Sequence, residues 1–328
     1  MKKLLQAEGL FVNFYTTKET VRVLTGFSLE VECGDIIGIV GESGSGKSVA
    51  IASIINLLSK TGKIDAGSVF FEGKDVLKMN EEELRQLRCR EVGVIPNNPK
   101  GMLHPIVPIG KQLMNRYCSA HPEAKKEEAR KHALQALEMV QIPDPEKRLQ
   151  VLPNELSGGM AQRVLIAMAL INDPKLVIAD DATTGLDVTV QSQILDLIEL
   201  QVQKTQSSAI MVTHDLGIVA QYCKKVGILC MGRVVEYSDS VEHLLMNAKH
   251  PYTQTLLAAT PGVPKEYHDE VNPAKSARHE IPSQGCLLQS RCKHCTEKCR
   301  LMVPPKIEIT PGHWVECHLV EGSDGHGK

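Results

Sequence analysis

The stretch GESGSGKS, Gly41 to Ser48, has the spacing G-x-x-x-x-G-K-[ST] of a phosphate cradle. Gly41, Gly44 and Gly46 let the backbone turn so that successive N–H groups point inward at phosphate oxygens. Glu42, Ser43 and Ser45 fill the loop between them, and Val49 follows in the first turn of the next element. Lys47 supplies a point charge for the β- and γ-phosphates, and the Ser48 hydroxyl can ligate Mg²⁺. In KLVIAD, apolar residues bury a strand and Asp180 emerges at its carboxyl end, where α/β sheets place ligands. Asp180 is therefore expected to hold Mg²⁺, directly or through water. The chemistry implied is binding of ATP or GTP with magnesium.

Two further groups carry chemistry. In LSGGM, Ser157 offers a hydroxyl, Gly158 and Gly159 permit close backbone approach, and the start of an apolar helix faces an anion. The same residues would otherwise be only a helix cap and turn. Near the end of the chain, Cys286, Cys292, Cys299 and Cys317 have the spacing C-x5-C-x6-C-x17-C, with Cys295 making a CKHC half-site alongside. The other cysteines (Cys33, Cys89, Cys118, Cys223, Cys230) are scattered and read as small core residues.

The elements that must position these groups follow from periodicity. Residues 4–40 alternate apolar and polar positions and predict antiparallel strands, ending in the buried strand DIIGIV. SVAIASIINLLSK predicts a helix directly after the cradle, and GSVFFEGKDV a hairpin. Helices are predicted over 81–90, over 123–140 and in AQRVLIAMALI, and buried parallel-type strands in KLVIAD and SAIMVTHD. A proline-punctuated stretch from about 260 to 282 separates this core from the cysteine-rich tail.

Composition sets outer limits. With 328 residues, 42% hydrophobic and 23% charged, the chain reads as one main domain plus a tail. A net charge of −2 lacks the basic footprint of a nucleic-acid binder. No apolar run is long enough to span a bilayer, and the N-terminus has no signal-peptide core, so the expectation is a cytoplasmic protein that reaches membranes through partners.

Cradle, LSGGM and acidic strand, in that order, resemble the ATP-binding subunits of ABC transporters, whose signature is LSGGQ or a near variant. The resemblance implies an α/β fold: a P-loop NTPase core with a parallel sheet, an antiparallel β subdomain, a helical subdomain carrying the signature, and a small Cys-rich C-terminal tail. It implies that two such domains pair head to tail, each signature capping the ATP held by the other cradle. TGLD puts Asp187 at the D-loop, VTHD puts His214 at the switch that meets the γ-phosphate, and NFYTT offers Phe14, or alternatively Tyr15, to stack on adenine. AQRVLIAMAL, DVTVQSQILDLI and HPYTQTLLAATP resemble the oligopeptide/dipeptide/nickel importer subfamily. On that resemblance, residues 1–258 form the ATPase domain (helical subdomain about 97–172) and 259–328 a C-terminal extension. The implied function is ATP hydrolysis powering uptake of a peptide or a nickel/metal chelate, on the cytoplasmic side of the inner membrane. The implied partners are two permeases, a second ATPase subunit and an extracytoplasmic binding protein. The alternatives are a slow regulatory or structural ABC subunit, or a soluble ABC ATPase unconnected with transport.

The sequence departs from that family at three points. A glutamate normally follows the metal-binding aspartate and orients the attacking water; here Asp181 is one methylene shorter. Asn97 stands where a glutamine is usual, again one methylene short, with Pro96 before it, and Ala182 replaces a proline. The favoured expectation is a cradle that binds ATP but hydrolyses it slowly within a heterodimeric ATPase pair. The others are a loop backbone moved inward so that the shorter acids still reach, or a decayed copy. The four tail cysteines resemble the subfamily's [4Fe-4S] ligands, four thiolates being a normal set for such a cluster. Structural zinc competes, since CKHC is a zinc half-site and His294 and His318 lie close in sequence.

Overall fold

A computed structural model describes residues 2–260 and 281–320. The linker expected over about 260–282 falls almost entirely outside them. Among the described residues the strands are β1 (Lys3–Tyr15), β2 (Thr20–Glu32), β3 (Ile36–Val40), β4 (Gly62–Phe71), β5 (Lys74–Asp75), β6 (Val92–Ile95), β7 (Leu176–Asp180), β8 (Ser208–Thr213), β9 (Lys225–Cys230), β10 (Arg233–Ser238), β11 (Lys306–Thr310) and β12 (His313–Glu316). The chain divides into two compact units, one built from residues 78–211 with 32–35, the other from 3–31, 36–77 and 212 onward.

The unit containing the cradle has two sheet portions. β2-β1-β4-β5 form one sheet; β1 and β4 pair antiparallel, and β4 and β5 make the expected hairpin across Glu72 and Gly73, both at positive φ. The second runs β11-β12-β10-β9-β3, with β3 parallel to β9 (Ile37 opposite Lys225) and the rest antiparallel. β3 is buried throughout, which is why DIIGIV reads as a continuous apolar run. The helix after the cradle spans only Lys47–Ile54, not the full predicted run. Asn56 takes the left-handed backbone, its N–H donates to Ser53 O, and Leu57 N–H donates to Ala52 O, which closes the helix in a Schellman turn.

The tail is tied into this unit rather than trailing from it. Its hairpin β11–β12 adds to β10, pairing Glu236 with Val315 and Ser238 with His313. The expected loop-rich tail thus acquires an edge of sheet and shares the core through buried Val315 and His313.

The other unit orders its strands β8-β7-β6, with β6 and β7 parallel from Val92 opposite Leu176 to Ile95 opposite Ala179. The predicted helix over 81–90 is a helix at Glu81–Gln86 that widens into a π turn over Leu87–Glu91. Asn80 and Glu83 close its start as a capping box. The helix predicted over 123–140 spans Lys126–Met139, burying Ala129, Ala133, Ala136 and Leu137 on one face. It packs on a helix that periodicity did not flag, Ile109–Ala120, whose apolar contacts come from Ile109, Leu113 and Tyr117 among polar neighbours.

Candidate nucleotide-binding site

The cradle leaves β3 at Gly41, and a Cβ there would sit 2.3 Å from Leu229 O and 2.7 Å from Ser45 Oγ, so only glycine fits. Gly44 and Gly46 have φ of 83° and 103°, the left-handed region in which glycine carries no steric penalty. The loop is anchored at three points: Gly41 N–H donates to Thr213 O, Ser45 N–H to Glu42 O, and Gly232 N–H to Ser45 O. Lys47 is buried and folds back over the loop, its Nζ donating to Gly41 O at 2.7 Å and Glu42 O at 2.9 Å. Ser45 Oγ is buried with no hydrogen-bond partner, while Ser48 is exposed at the first helical turn. Two left-handed glycines, an orphaned buried hydroxyl and an ammonium already bonded to loop carbonyls fit a phosphate chain with a cation beside it.

The first anchor also brings His214 to the cradle, because Thr213, the residue before it, accepts from Gly41 N–H. His214 itself is exposed. Asp215 next to it caps the helix Leu216–Tyr222 through a 2.7 Å bond from Gly217 N–H. Of the two aromatic candidates, Phe14 is half-buried with its ring against Gly62, whose added Cβ would stand 2.9 Å away. Tyr15 leaves its ring about half exposed and donates its hydroxyl to Asp65 at 2.8 Å.

The remaining predicted residues belong to the other unit. Asp180 ends β7, and Asp181 turns the chain with φ of 46°, a conformation that aspartate tolerates better than most side chains. Asn97 lies beyond the end of β6, the neighbouring parallel strand, exposed, while buried Gln162 donates to Pro96 O at 3.2 Å. Ser157 caps the helix Gly158–Leu170 by accepting from Met160 N–H, and Asp187 caps the helix Val188–Thr205 by accepting from Val190 N–H. The two helix starts approach each other: a Cβ on Gly159 would lie 3.1 Å from Val190 Cγ1. Among the described residues a Cβ on Gly158 would meet nothing within 4 Å, so this glycine has open space beside it. The capping role weighed for Ser157 is therefore present, and the same turn also leaves the glycine surface open.

Comparison with known proteins decides the family. Residues 24–184 match the ABC transporter family and residues 235–299 the oligopeptide/dipeptide transporter C-terminal region. The chain is 40% identical over 319 residues to the dipeptide transport ATP-binding protein DppD of Escherichia coli (strain K12), covering 96% of each. It is 37% identical over 321 residues to the oligopeptide transport ATP-binding protein OppD of Bacillus subtilis (strain 168), covering 97% of this chain and 89% of that one. The chain belongs to the oligopeptide/dipeptide family of ABC transporter ATP-binding proteins. Among solved structures it resembles the dimeric bacterial ABC transporter cassette MJ0796, with a TM-score of 0.64 and 27% identity over 70% of this chain and 96% of that one. The fold is that of an ABC ATPase.

This ABC subunit gathers its tail cysteines. All ten cysteines are free thiols. Cys286 N–H donates to Cys299 O at 2.7 Å, and Cys299 and Cys317 are buried. Burial pushes the Cys286 thiol up to about 11, with Cys299, Cys317 and Cys292 adding to the rise. Burial likewise raises Cys292, helped by Cys299 and Cys295, and raises Cys317, helped by Cys292 and Cys299. Among the described residues no three His, Cys, Asp or Glu side chains are grouped so as to hold a single metal ion. His318 is engaged elsewhere, its Nε2 at 2.9 Å from Met302 O.

Sequence reasoning passed over two residues at the cradle. Tyr252 is buried and its hydroxyl accepts from Glu42 N–H at 2.9 Å; Arg291 holds the Glu42 carboxylate through two bonds of 3.0 Å. Both lie inside stretches noted for other reasons, the HPY segment and the cysteine run, and neither announces a link to residue 42.

Proposed function

We propose that this ABC ATPase binds Mg-ATP in the Gly41–Ser48 cradle and couples its hydrolysis to the uptake of di- or oligopeptides. The reading is carried by one observation: a built phosphate cradle and an open signature occur on a chain similar over nearly its whole length to dipeptide and oligopeptide transport ATP-binding proteins. The names of those relatives favour peptide over a nickel chelate as cargo. Ser48 and Asp180 would hold Mg²⁺, which when bound supplies charge neutralisation of the phosphates. Lys47 exchanges its carbonyl partners for phosphate oxygens, and the amides of Ser43, Gly44, Gly46 and Lys47 line the chain. Phe14 or Tyr15 stacks on the base. Asp181 orients the attacking water, with Asn97 and His214 completing its surroundings. Ser157, Gly158 and Gly159 cap the nucleotide held by a second subunit, and Asp187 lies in the same contact.

The partners in this reading are two permeases, an extracytoplasmic binding protein and a second ABC subunit. The short side chains of Asn97 and Asp181 favour an unlike second subunit that carries the faster site. A different observation favours full competence: the left-handed turn at Asp181 is one the shorter acid accommodates, so backbone placement can compensate for length. Residues 1–258 act as the ATPase domain and 259–328 as the extension. In this reading the subunit is peripheral at the cytoplasmic face of the inner membrane; among the described residues no helix is long and apolar enough to cross a membrane.

For the tail, Cys286, Cys292, Cys299 and Cys317 are proposed as [4Fe-4S] ligands. The four thiolates would hold the cluster, four cysteines being its normal ligand set. ATP turnover by the subunit assembled with permeases and binding protein in vesicles tests the function. Turnover stimulated by peptide-loaded binding protein is expected; turnover indifferent to peptide would remove the transport reading.

A further inference from the structure

Glu42 is an acid placed second in a loop that must receive a polyanion. Left alone, its carboxylate would oppose the phosphates that Lys47 attracts. The structure supplies the compensating charge from 249 residues away: Arg291 Nη1 donates to Glu42 Oε2 and Nη2 to Oε1, each at 3.0 Å. This is the two-pronged fork geometry that only arginine offers. The Arg291 side chain is 14% exposed and that of Glu42 35%, so the pair is shielded more than an ordinary surface bridge.

Arg291 is itself held in place. Its N–H donates to Leu288 O at 2.9 Å, as does Cys292 N–H at 2.8 Å, and Leu288 is buried. The turn begins at Gly285, φ 81°, where a Cβ would meet Cys299 O at 2.5 Å. It is stitched by Cys286 N–H donating to Cys299 O. From the other side, Tyr252 takes the Glu42 N–H. Side chain and amide of Glu42 are thus both fixed by the C-terminal region.

We infer that Arg291 is a positioning residue of the nucleotide site: it neutralises Glu42 and holds the mouth of the cradle in its phosphate-receiving shape, making the cysteine turn part of the ATP-binding apparatus. The inference rests on the reading of Gly41–Ser48 as the ATP cradle. It predicts a coupling that a merely structural contact would not produce, because removing the acid should repair the loss of the base.

The test is Mg-ATP affinity of the full-length chain, read with a fluorescent ATP analogue, for wild type, Arg291→Ala, Arg291→Lys, Glu42→Gln and the double variant Glu42→Gln/Arg291→Ala. Thermal unfolding is followed in parallel. Arg291→Ala is expected to weaken binding on the order of tenfold at low salt, less at high salt. Arg291→Lys should fall between, and the double variant should bind within about twofold of Glu42→Gln alone. Wild-type binding with equally tight Arg291→Ala, or a double variant as weak as Arg291→Ala, would overturn the inference and leave the ATP reading standing. A folded wild-type chain that binds no nucleotide would instead sink the ATP reading and this inference together.

Discussion

Asn97 and Asp181 each stand two residues past the last registered pair of the parallel strands β6 and β7, Ile95 opposite Ala179. The two shortened side chains therefore occupy equivalent ends of adjacent strands. On the proposed roles of Asn97 and Asp181, a matched shortening on neighbouring strand ends would affect one catalytic space. If length limits the reaction, Asp181→Glu should raise ATP turnover of the assembled transporter, by up to about a hundredfold for a misplacement near 1 Å. Because φ is 46° there, glutamate should also lower the melting temperature slightly, a cost on the order of 1 kcal/mol. Turnover unchanged or abolished would show that the shorter acid is not the limit.

The signature glycine offers a cleaner separation of folding from pairing. Gly158 has open space where a side chain would go and lies in the first helical turn, so Gly158→Gln should leave thermal stability within about 1 kcal/mol of wild type. It should nonetheless prevent subunit association in saturating Mg-ATP, measured by light scattering in the assembled complex. Association that persists would place the pairing surface elsewhere. Ser157→Ala, by contrast, should cost about 1 kcal/mol through the lost bond from Met160 N–H.

Stability should fall in mild acid for an identifiable reason. Burial lowers the pKa of His250 to about 4, against an opposing pull from Glu236, and its Nδ1 accepts from Tyr252 N–H. The unfolded chain binds the proton more readily than the folded one, so this contribution is complete above pH 6.5 and is lost as pH falls toward 4. The total is roughly 3 kcal/mol. His250→Asn keeps a capping acceptor without the titration, and should flatten that part of the curve in urea unfolding between pH 7.5 and 4.5. An unaltered slope would assign the acid sensitivity to other groups.

The tail thiols should be found bound rather than free. Anaerobically purified protein is expected to be brown, to carry about four irons per chain and to lose its colour in Cys286→Ser or Cys317→Ser variants. Colourless protein with one zinc per chain would replace the cluster with a zinc site.

What could be read in advance was what backbone physics forces. Gly41 admits no other residue, and Asp180 ends a strand whose burial demands an apolar run, so cradle and acidic strand declare themselves by spacing alone. The helix Ile109–Ala120 did not, because its buried apolar side chains are sparse and Gln112 is buried by bonding to His104 O and Val107 O, which no hydrophobic pattern records. The hairpin β11–β12 is four to five residues a strand, too short for alternation to stand out, and its partner β10 lies far back in the chain. Choosing between Phe14 and Tyr15 depends on the ring packing against Gly62 and the bond to Asp65, both set by β4. The grip of Arg291 on Glu42 is a long-range pairing of two ordinary charges and leaves no local trace.

Peptide uptake itself is the most direct measurement. Vesicles holding the permeases, loaded with Mg-ATP on the subunit's side and supplied with binding protein and a labelled dipeptide or oligopeptide, should accumulate the peptide with wild-type subunit. Lys47→Ala, which removes the ammonium now bonded to Gly41 O and Glu42 O, should reduce accumulation to the level seen without ATP. Uptake undiminished by Lys47→Ala would contradict the role of this cradle in driving transport.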